Sequence, residues 1–337
     1  MDQEPRIAVF GAGSIGCHLG GMLAAAADVT LIGRPAPMAE IERNGLTLTG
    51  PGEARRHVRR LATATGASAA ARADFVLVTV KSADTAAAAR ELAGHLAPHA
   101  VVISFQNGLR NPGVLRAELP GRPVLAGMVP YNVVRSGPAA VHQGSGGALT
   151  VEDDPAARPF AAAARAGGLD LTLHPDMPSV QAAKLLMNLN NAVNALSGLP
   201  LREQLGTRAY RACLARCQRE ALAAFRAAGI VPARVGPVPP RWTPVVLGLP
   251  DALFRRLAAA GLRIDARARS SMWDDLRRGR PTEIDALQGE VIALAGRHGL
   301  AAPANTRLAA LVREAERAGP GAARSWSGRE LLAELGG

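Results

Sequence analysis

The chain has 337 residues, 39 basic against 28 acidic side chains, and a hydrophobic share of 48% inflated by alanine. That length suits two domains, each able to bury a core, and no apolar run reaches the roughly 18 residues that a membrane-spanning helix needs. The net charge of +11 does not mark a nucleic-acid binder: the arginines sit among acidic neighbours, as in RRGRPTEID at 277–285, and aromatics are only 3% of the chain. The charge implies a field that favours anionic ligands.

The opening MDQEPRIAVF is acidic and enters a strand directly, unlike a secretory leader. From there RIAVF, GAGSIG, CHLGGMLAAAA and DVTLIG run strand, glycine turn, helix and strand over residues 6–33, a βαβ unit with short connections. Apolar strands follow at DFVLVTV (74–80) and AVVISF (100–105), with the helical ADTAAAARELAGHLA between them. Strands alternating with helices predict a doubly wound parallel sheet. Between 121 and 173 the texture changes to short strands punctuated by Gly and Pro, which predicts an antiparallel extension of the same sheet. After HPDMPS (174–179) the chain reads as helical nearly to its end. The expected architecture is α/β: a Rossmann-type domain with a doubly wound sheet and antiparallel extension over 1–176, then an all-α domain over 177–337. The Pro-rich GPVPPRWTPVVLGLP (236–250) interrupts the second domain as a long loop carrying a short apolar element.

Gly11-Ala12-Gly13-Ser14-Ile15-Gly16 is a G-x-G-x-x-G that follows a strand and opens a helix. Gly11 permits the tight turn, Gly13 lets a pyrophosphate approach the backbone, and Gly16 lets helix pack on strand. The free N–H groups at the helix start, Ser14 and Ile15, then face the phosphates. Where NAD binders place an acidic residue after the second strand, this chain has Gly33-Arg34. Arg34 can neutralise a 2′-phosphate or stack on adenine, which favours NADP(H); the alternative is an ordinary solvated arginine.

Only two lysines, Lys81 and Lys184, occur among the 39 basic residues. Arginine stays charged, whereas lysine can be tuned to release a proton, so both lysines are candidates for sites that need a compact ammonium. Lys184 lies near the start of the apolar helical stretch VQAAKLLMNLNNAVNALSG (180–198), four residues before Asn188 and therefore on the same helix face. Ser271 and Asp275 repeat that spacing. Glu283 follows Pro281-Thr282 at a helix start, where a carboxylate is favoured by the dipole in any case. Cys17, Cys213 and Cys217 form neither a disulfide framework nor a zinc pattern, and a reducing, cytoplasmic setting is expected. The histidines, among them His142, His174 and His298, have no ligand spacing, so no metal is expected.

Taken in order, GAGSIG (11–16), VTVKS (78–82), FQNGL (105–109), KLLMN (184–188), SSMWDDLRRGRPTEID (270–285) and HGLAAPANTRL (298–308) resemble the 2-dehydropantoate 2-reductases, or ketopantoate reductases, nearly end to end. The resemblance implies NADPH-dependent reduction of a 2-oxo acid in pantothenate biosynthesis. It matches Lys184 to the family's catalytic lysine and Glu283 to its partner glutamate. Asn107, Asn188, Ser271 and Asp275 match substrate-site residues, while Lys81, and Asn107 again, fall at the cofactor junction. The implied partner is a small-molecule 2-oxo acid, with no nucleic acid and no membrane, and a homodimer is compatible with it. One departure stands out: the family's second Asn, one turn after the first, is Ala192 here, with Asn190, Asn191 and Asn194 nearby. Another branched 2-oxo acid, or a non-catalytic NADP-binding regulator on the same scaffold, stays open as an alternative.

Overall fold

The computed structural model describes residues 4–50, 54–258 and 268–336; the helical reading across 259–267 and the first three residues of the opening segment lie outside them. The chain divides into two compact units, Met1–Met177 and Pro178–Gly337.

The first unit contains strands β1 (Arg6–Phe10), β2 (Asp28–Ile32), β3 (Leu46–Thr49), β4 (Arg56–Val58), β5 (Ala62–Ala64), β6 (Phe75–Val78), β7 (Val101–Ser104), β8 (Val124–Met128), β9 (Val133–Gly137), β10 (Ala140–Gln143), β11 (Leu149–Glu152) and β12 (Leu171–His174). Its helices are α1 (Ser14–Leu23), α2 (Pro35–Asn44), α3 (Thr85–Ala93), α4 (Asn111–Glu118) and α5 (Arg158–Ala166). Eight strands form one sheet in the order β12-β11-β8-β7-β6-β1-β2-β5. The pairs from β5 through β8 are parallel, and β11 pairs antiparallel with β8.

The central strands are apolar on both faces because both faces are covered. Ile7, Val9, Leu77 and Ile103 join one core with α1 and α5, while Ala8, Phe10, Val76 and Val102 join the other with α3 and α4. That is the period-two alternation of a strand, and each fully buried Val, Leu or Ile contributes about 1.5–3 kcal/mol. The chain runs outward from β1 through β2 to β5, then returns to β6 on the other side of β1. Such a reversal leaves a crevice at the carboxyl ends of the strands.

The predicted antiparallel extension holds for β11, with β12 continuing parallel to β11. It does not hold for β9 and β10. These leave the main sheet and join β3 and β4 in a separate four-stranded sheet, ordered β4-β3-β10-β9. Leu46, Leu48 and Val141 of that small sheet are buried in the same core as α1. The physical reason is that the α1 side of the main sheet needs a cover, and the apolar side of this second sheet supplies one.

The second unit is helical: α6 (Met177–Asn188), α7 (Asn190–Ser197), α8 (Leu201–Gly206), α9 (Arg208–Ala227), α10 (Thr243–Leu247), α11 (Asp251–Ala258), α12 (Ser271–Arg277), α13 (Ile284–Arg297), α14 (Pro303–Ala318) and α15 (Gly328–Glu334). α9 is its hub, packing against α7, α8, α10, α13, α14 and α15. Tyr210, Leu214, Cys217, Ala221 and Phe225 recur at three- and four-residue spacing on α9 and are all buried. Arg211 is buried among them, donating to the carbonyls of Leu205, Leu247 and Leu249 at 2.7–3.0 Å and pairing with Asp251 at 2.9 Å. The Pro-rich interruption contains a 3-10 turn at Pro240–Trp242 and the short apolar α10. The single helix expected over 180–198 is two helices, α6 and α7, meeting at Leu189. Among the described residues no helix is long and apolar enough to cross a membrane.

Candidate active site

In the first unit the residues singled out by sequence gather at the carboxyl ends of four adjacent strands. The glycine loop follows β1, Arg34 follows β2, Lys81 follows β6 and Asn107 follows β7. Gly11 has φ +105°, a conformation that side-chain-bearing residues rarely adopt, and a Cβ there would meet Val80 N at 2.5 Å. A Cβ on Gly16 would strike Gly11 O and the Thr79 hydroxyl, both at 2.6 Å. Above Gly13, by contrast, a Cβ would meet only Gly11 O at 3.8 Å, so the loop is open where a phosphate would approach the start of α1. This cradle fits a dinucleotide. Arg34 is exposed at the N-cap of α2.

Several residues that sequence reasoning passed over hold these loops. Thr79 Oγ1 donates to Gly11 O at 2.8 Å and thereby ties the β6 loop to the glycine turn. Gln106 Nε2 donates to Val80 O at 3.0 Å and to Thr85 Oγ1 at 2.8 Å. Asn111 Nδ2 donates to Ser82 Oγ at 2.9 Å and to Asn107 O at 2.5 Å. This largely buried network fixes the backbone on either side of Lys81 and Asn107. Its only sequence signal is a run of amides and hydroxyls beside motif residues.

In the second unit Lys184 and Asn188 both lie on α6, one turn apart. Burial pushes the Lys184 ammonium from 10.5 down to about 8, because a low-dielectric setting disfavours the charged form. Gln181 lies one turn earlier, at i, i+3, i+7 with Lys184 and Asn188; it is buried, and its Nε2 finds no hydrogen-bond partner among the described residues. That spacing was visible in the sequence and identifies Gln181 as a site candidate not singled out there.

Ser271 opens α12 and is exposed, whereas Asp275, one turn on, is buried and pairs with Arg280 at 3.2 Å. The buried N-cap of α12 is the preceding Ser270, whose Oγ accepts from Trp273 N and whose N–H donates to Asn194 Oδ1 at 2.8 Å. Glu283 is the N-cap residue of α13, yet its side chain makes no capping hydrogen bond. The dipole-favoured position at the start of α13 is thus not accompanied by a side-chain cap.

Around Ala192, which is itself fully buried, two of the nearby asparagines, Asn190 and Asn194, serve the fold. Asn190 exchanges amide hydrogen bonds with Gln204 at 3.0 and 3.1 Å. Asn194 donates to Leu199 O at 3.0 Å while holding Ser270. The three cysteines are free and buried. Among the described residues no group of three or more His, Cys, Asp or Glu side chains could hold a metal ion.

Comparison with known proteins matches residues 7–155 to the family model "Ketopantoate reductase PanE/ApbA" and residues 176–316 to its C-terminal counterpart. The chain is 32% identical to the 2-dehydropantoate 2-reductase of Halobacterium salinarum, over 93% of this chain and 100% of that one. A crystal structure of a PanE/ApbA family ketopantoate reductase from Ralstonia eutropha superposes with a TM-score of 0.80 at 32% identity, covering 93% of this chain and 98% of the other. D-mandelate dehydrogenase in complex with NADH and anilino(oxo)acetate shares the fold, with a TM-score of 0.78 at 19% identity over 93% of this chain and 99% of the other.

Proposed function

Since the chain belongs to the ketopantoate reductase family, whose members are oxidoreductases acting on the CH–OH/C=O pair, we propose that it reduces a 2-oxo acid to the 2-hydroxy acid with NADPH. Ketopantoate, converted to pantoate on the way to pantothenate and coenzyme A, is the favoured substrate. The observation that carries the reading is Lys184, a half-buried lysine whose desolvation lowers its pKa to about 8, one helical turn from Asn188.

NADPH, when bound at the glycine cradle, supplies the hydride for the keto carbon. As negative charge develops on the substrate oxygen, the Lys184 ammonium stabilises it and donates the proton. A pKa near 8 suits this role: the group is largely protonated at neutral pH and is a stronger acid than an exposed lysine. Glu283 helps position lysine and substrate. Asn188, Asn107, Ser271 and Asp275 orient the substrate's polar groups, and Lys81 supports the cofactor end. Gly11, Gly13, Ser14, Ile15 and Gly16 hold the pyrophosphate, and Arg34 the 2′-phosphate. On this reading the segment 1–176 binds NADP(H), and 177–337 supplies the catalytic lysine.

The same chemistry on another branched 2-oxo acid is the second reading, and the buried Ala192 in place of the family's Asn favours it. The deciding experiment follows NADPH oxidation by the purified protein across a panel of 2-oxo acids that includes ketopantoate. A clear preference for ketopantoate supports the first reading, and a preference for another acid the second. No turnover with any of them would overturn both.

A further inference from the structure

Helices α6 and α7 are separated only by Leu189. That residue keeps helical dihedrals (φ −57°, ψ −23°), and its N–H still donates to Leu185 O at 3.0 Å. In an unbroken helix Leu186 O would accept from residue 190 and Leu189 O from residue 193. Here Leu186 O accepts from Gln218 Nε2 of α9 at 3.0 Å, and Leu189 O accepts from Gln288 Nε2 of α13 at 2.9 Å. Side chains inserted into the backbone ladder are a recognised cause of a helix break.

Both glutamines are buried, at 5% and 0% exposure. The two carbonyls they hold bracket Asn188, and Leu186 lies two residues beyond Lys184. Gln288 lies five residues after Glu283, about 7.5 Å along the helix axis, so its hydrogen bond ties the helix headed by Glu283 to the end of α6. Gln218 is itself oriented, because its Oε1 accepts from the Thr243 hydroxyl at 2.9 Å. Thr243 opens α10 within the Pro-rich interruption, and its one hydroxyl proton is shared between Gln218 Oε1 and Pro240 O, the latter 2.8 Å away. The interruption thereby sets the amide that holds Leu186 O.

We propose that Gln218 and Gln288, with Thr243 behind Gln218, are positioning residues that hold open the backbone at the end of α6 and so fix the direction in which Lys184 and Asn188 present their side chains. This rests on the reaction proposed above. Any donor could satisfy a buried carbonyl; what separates positioning from mere satisfaction is that the effect appears in turnover and not only in melting temperature.

The test uses the full chain carrying Gln218→Leu, Gln288→Leu, Thr243→Val or Thr243→Ser. It combines steady-state kinetics with ketopantoate, NADPH affinity, thermal melts and amide hydrogen exchange over residues 185–193. Both Leu variants are expected to lose about tenfold to a hundredfold in kcat, as small misplacements of reacting groups do, with NADPH affinity unchanged. Thr243→Val should lose kcat in the same direction, and Thr243→Ser should restore it. If kcat and KM hold while only the melting temperature falls, the glutamines are structural and the proposal is overturned. If a Leu variant does not fold, the Thr243 pair decides by the same criterion. If the parent reduces no 2-oxo acid, it is the reaction reading that has failed. The exchange arm then decides alone: unchanged protection at 190 and 193 in the variants overturns the clamp, and altered protection confined to them supports it.

Discussion

Lys184 carries its proton at a cost, since burial holds its pKa at about 8. In the proposed reaction the protonated form is the acid, so kcat/KM for reduction is expected to fall as pH rises through about 8, and steady-state rates across pH 6–10 measure this. Arginine cannot take the position: its pKa is too high for transfer, and its planar fork needs more room than an ammonium. Lys184→Arg is therefore expected to lose about a hundredfold or more in kcat, with NADPH still bound and the melt close to the parent. Turnover above about a tenth of the parent would show that charge alone suffices. Arg34, exposed at the head of α2, belongs to the same scale. The parent should prefer NADPH over NADH by about tenfold in kcat/KM, about 1.4 kcal/mol, and Arg34→Ala should narrow the gap. Equal use of both cofactors by the parent would remove Arg34 from the 2′-phosphate.

Helix ends decide much at the next scale. The HGLAAPANTRL stretch carries family identity, and the structure gives its asparagine a mechanical role. Glu220 of α9 accepts from the backbone N–H groups of Ala304 and Asn305 at 2.8 and 3.0 Å, and from Asn305 Nδ2 at 2.7 Å. It is a cap supplied from another helix, satisfying donors that the first turn of α14 leaves open. Glu220→Ala is expected to cost about 1–2 kcal/mol, the upper range for lost caps. A lower melting temperature should show it, with kcat retained, because none of the candidate site residues lies on α14. A variant that melts like the parent would mean that solvent replaces the carboxylate at no cost. Residues 303–308 read alone give no hint of this, because the capping oxygen lies 84 positions earlier than Ala304.

For the molecule as a whole, buried titratable groups set the response to alkali. Burial pushes the Cys17 thiol from 9.0 up to about 11 and Cys213 up to about 12, and it raises Cys217 well above the ordinary value. For these groups the unfolded chain loses its protons first, so their contribution to stability is complete below pH 9 and is lost as pH rises through the folded values. Lys184 runs the other way: its folded pKa is depressed, so between about 8 and 10.5 rising pH relieves the burial of its charge. Three thiols oppose one lysine. The melting temperature is expected to decline from pH 9 toward 11, and Cys217→Ala should make that slope shallower whatever it does to the melt at neutral pH. A melting temperature that rises steadily over this range would refute the balance.

The local pattern of the chain was enough to specify the βαβ unit, the tight glycine turn at 11–16, the parallel core of the sheet and the change to helices near 174–179. Each of these rests on short-range periodicity or on glycine geometry that neighbouring residues enforce. The sequence also placed Lys184 and Asn188 on one face of a helix, because that relation needs only 3.6 residues per turn. Only the tertiary structure decided that β9 and β10 leave the main sheet for β3 and β4, since strand pairing is a choice among distant partners. It also decided the break at Leu189, where donors come from residues 218 and 288, and it turned Asn190 and Asn194 from substrate-site neighbours into buried braces. The lowered pKa of Lys184 is of the same kind: a lysine's type is written in the chain, but the desolvation that lowers its pKa comes from everything packed around it.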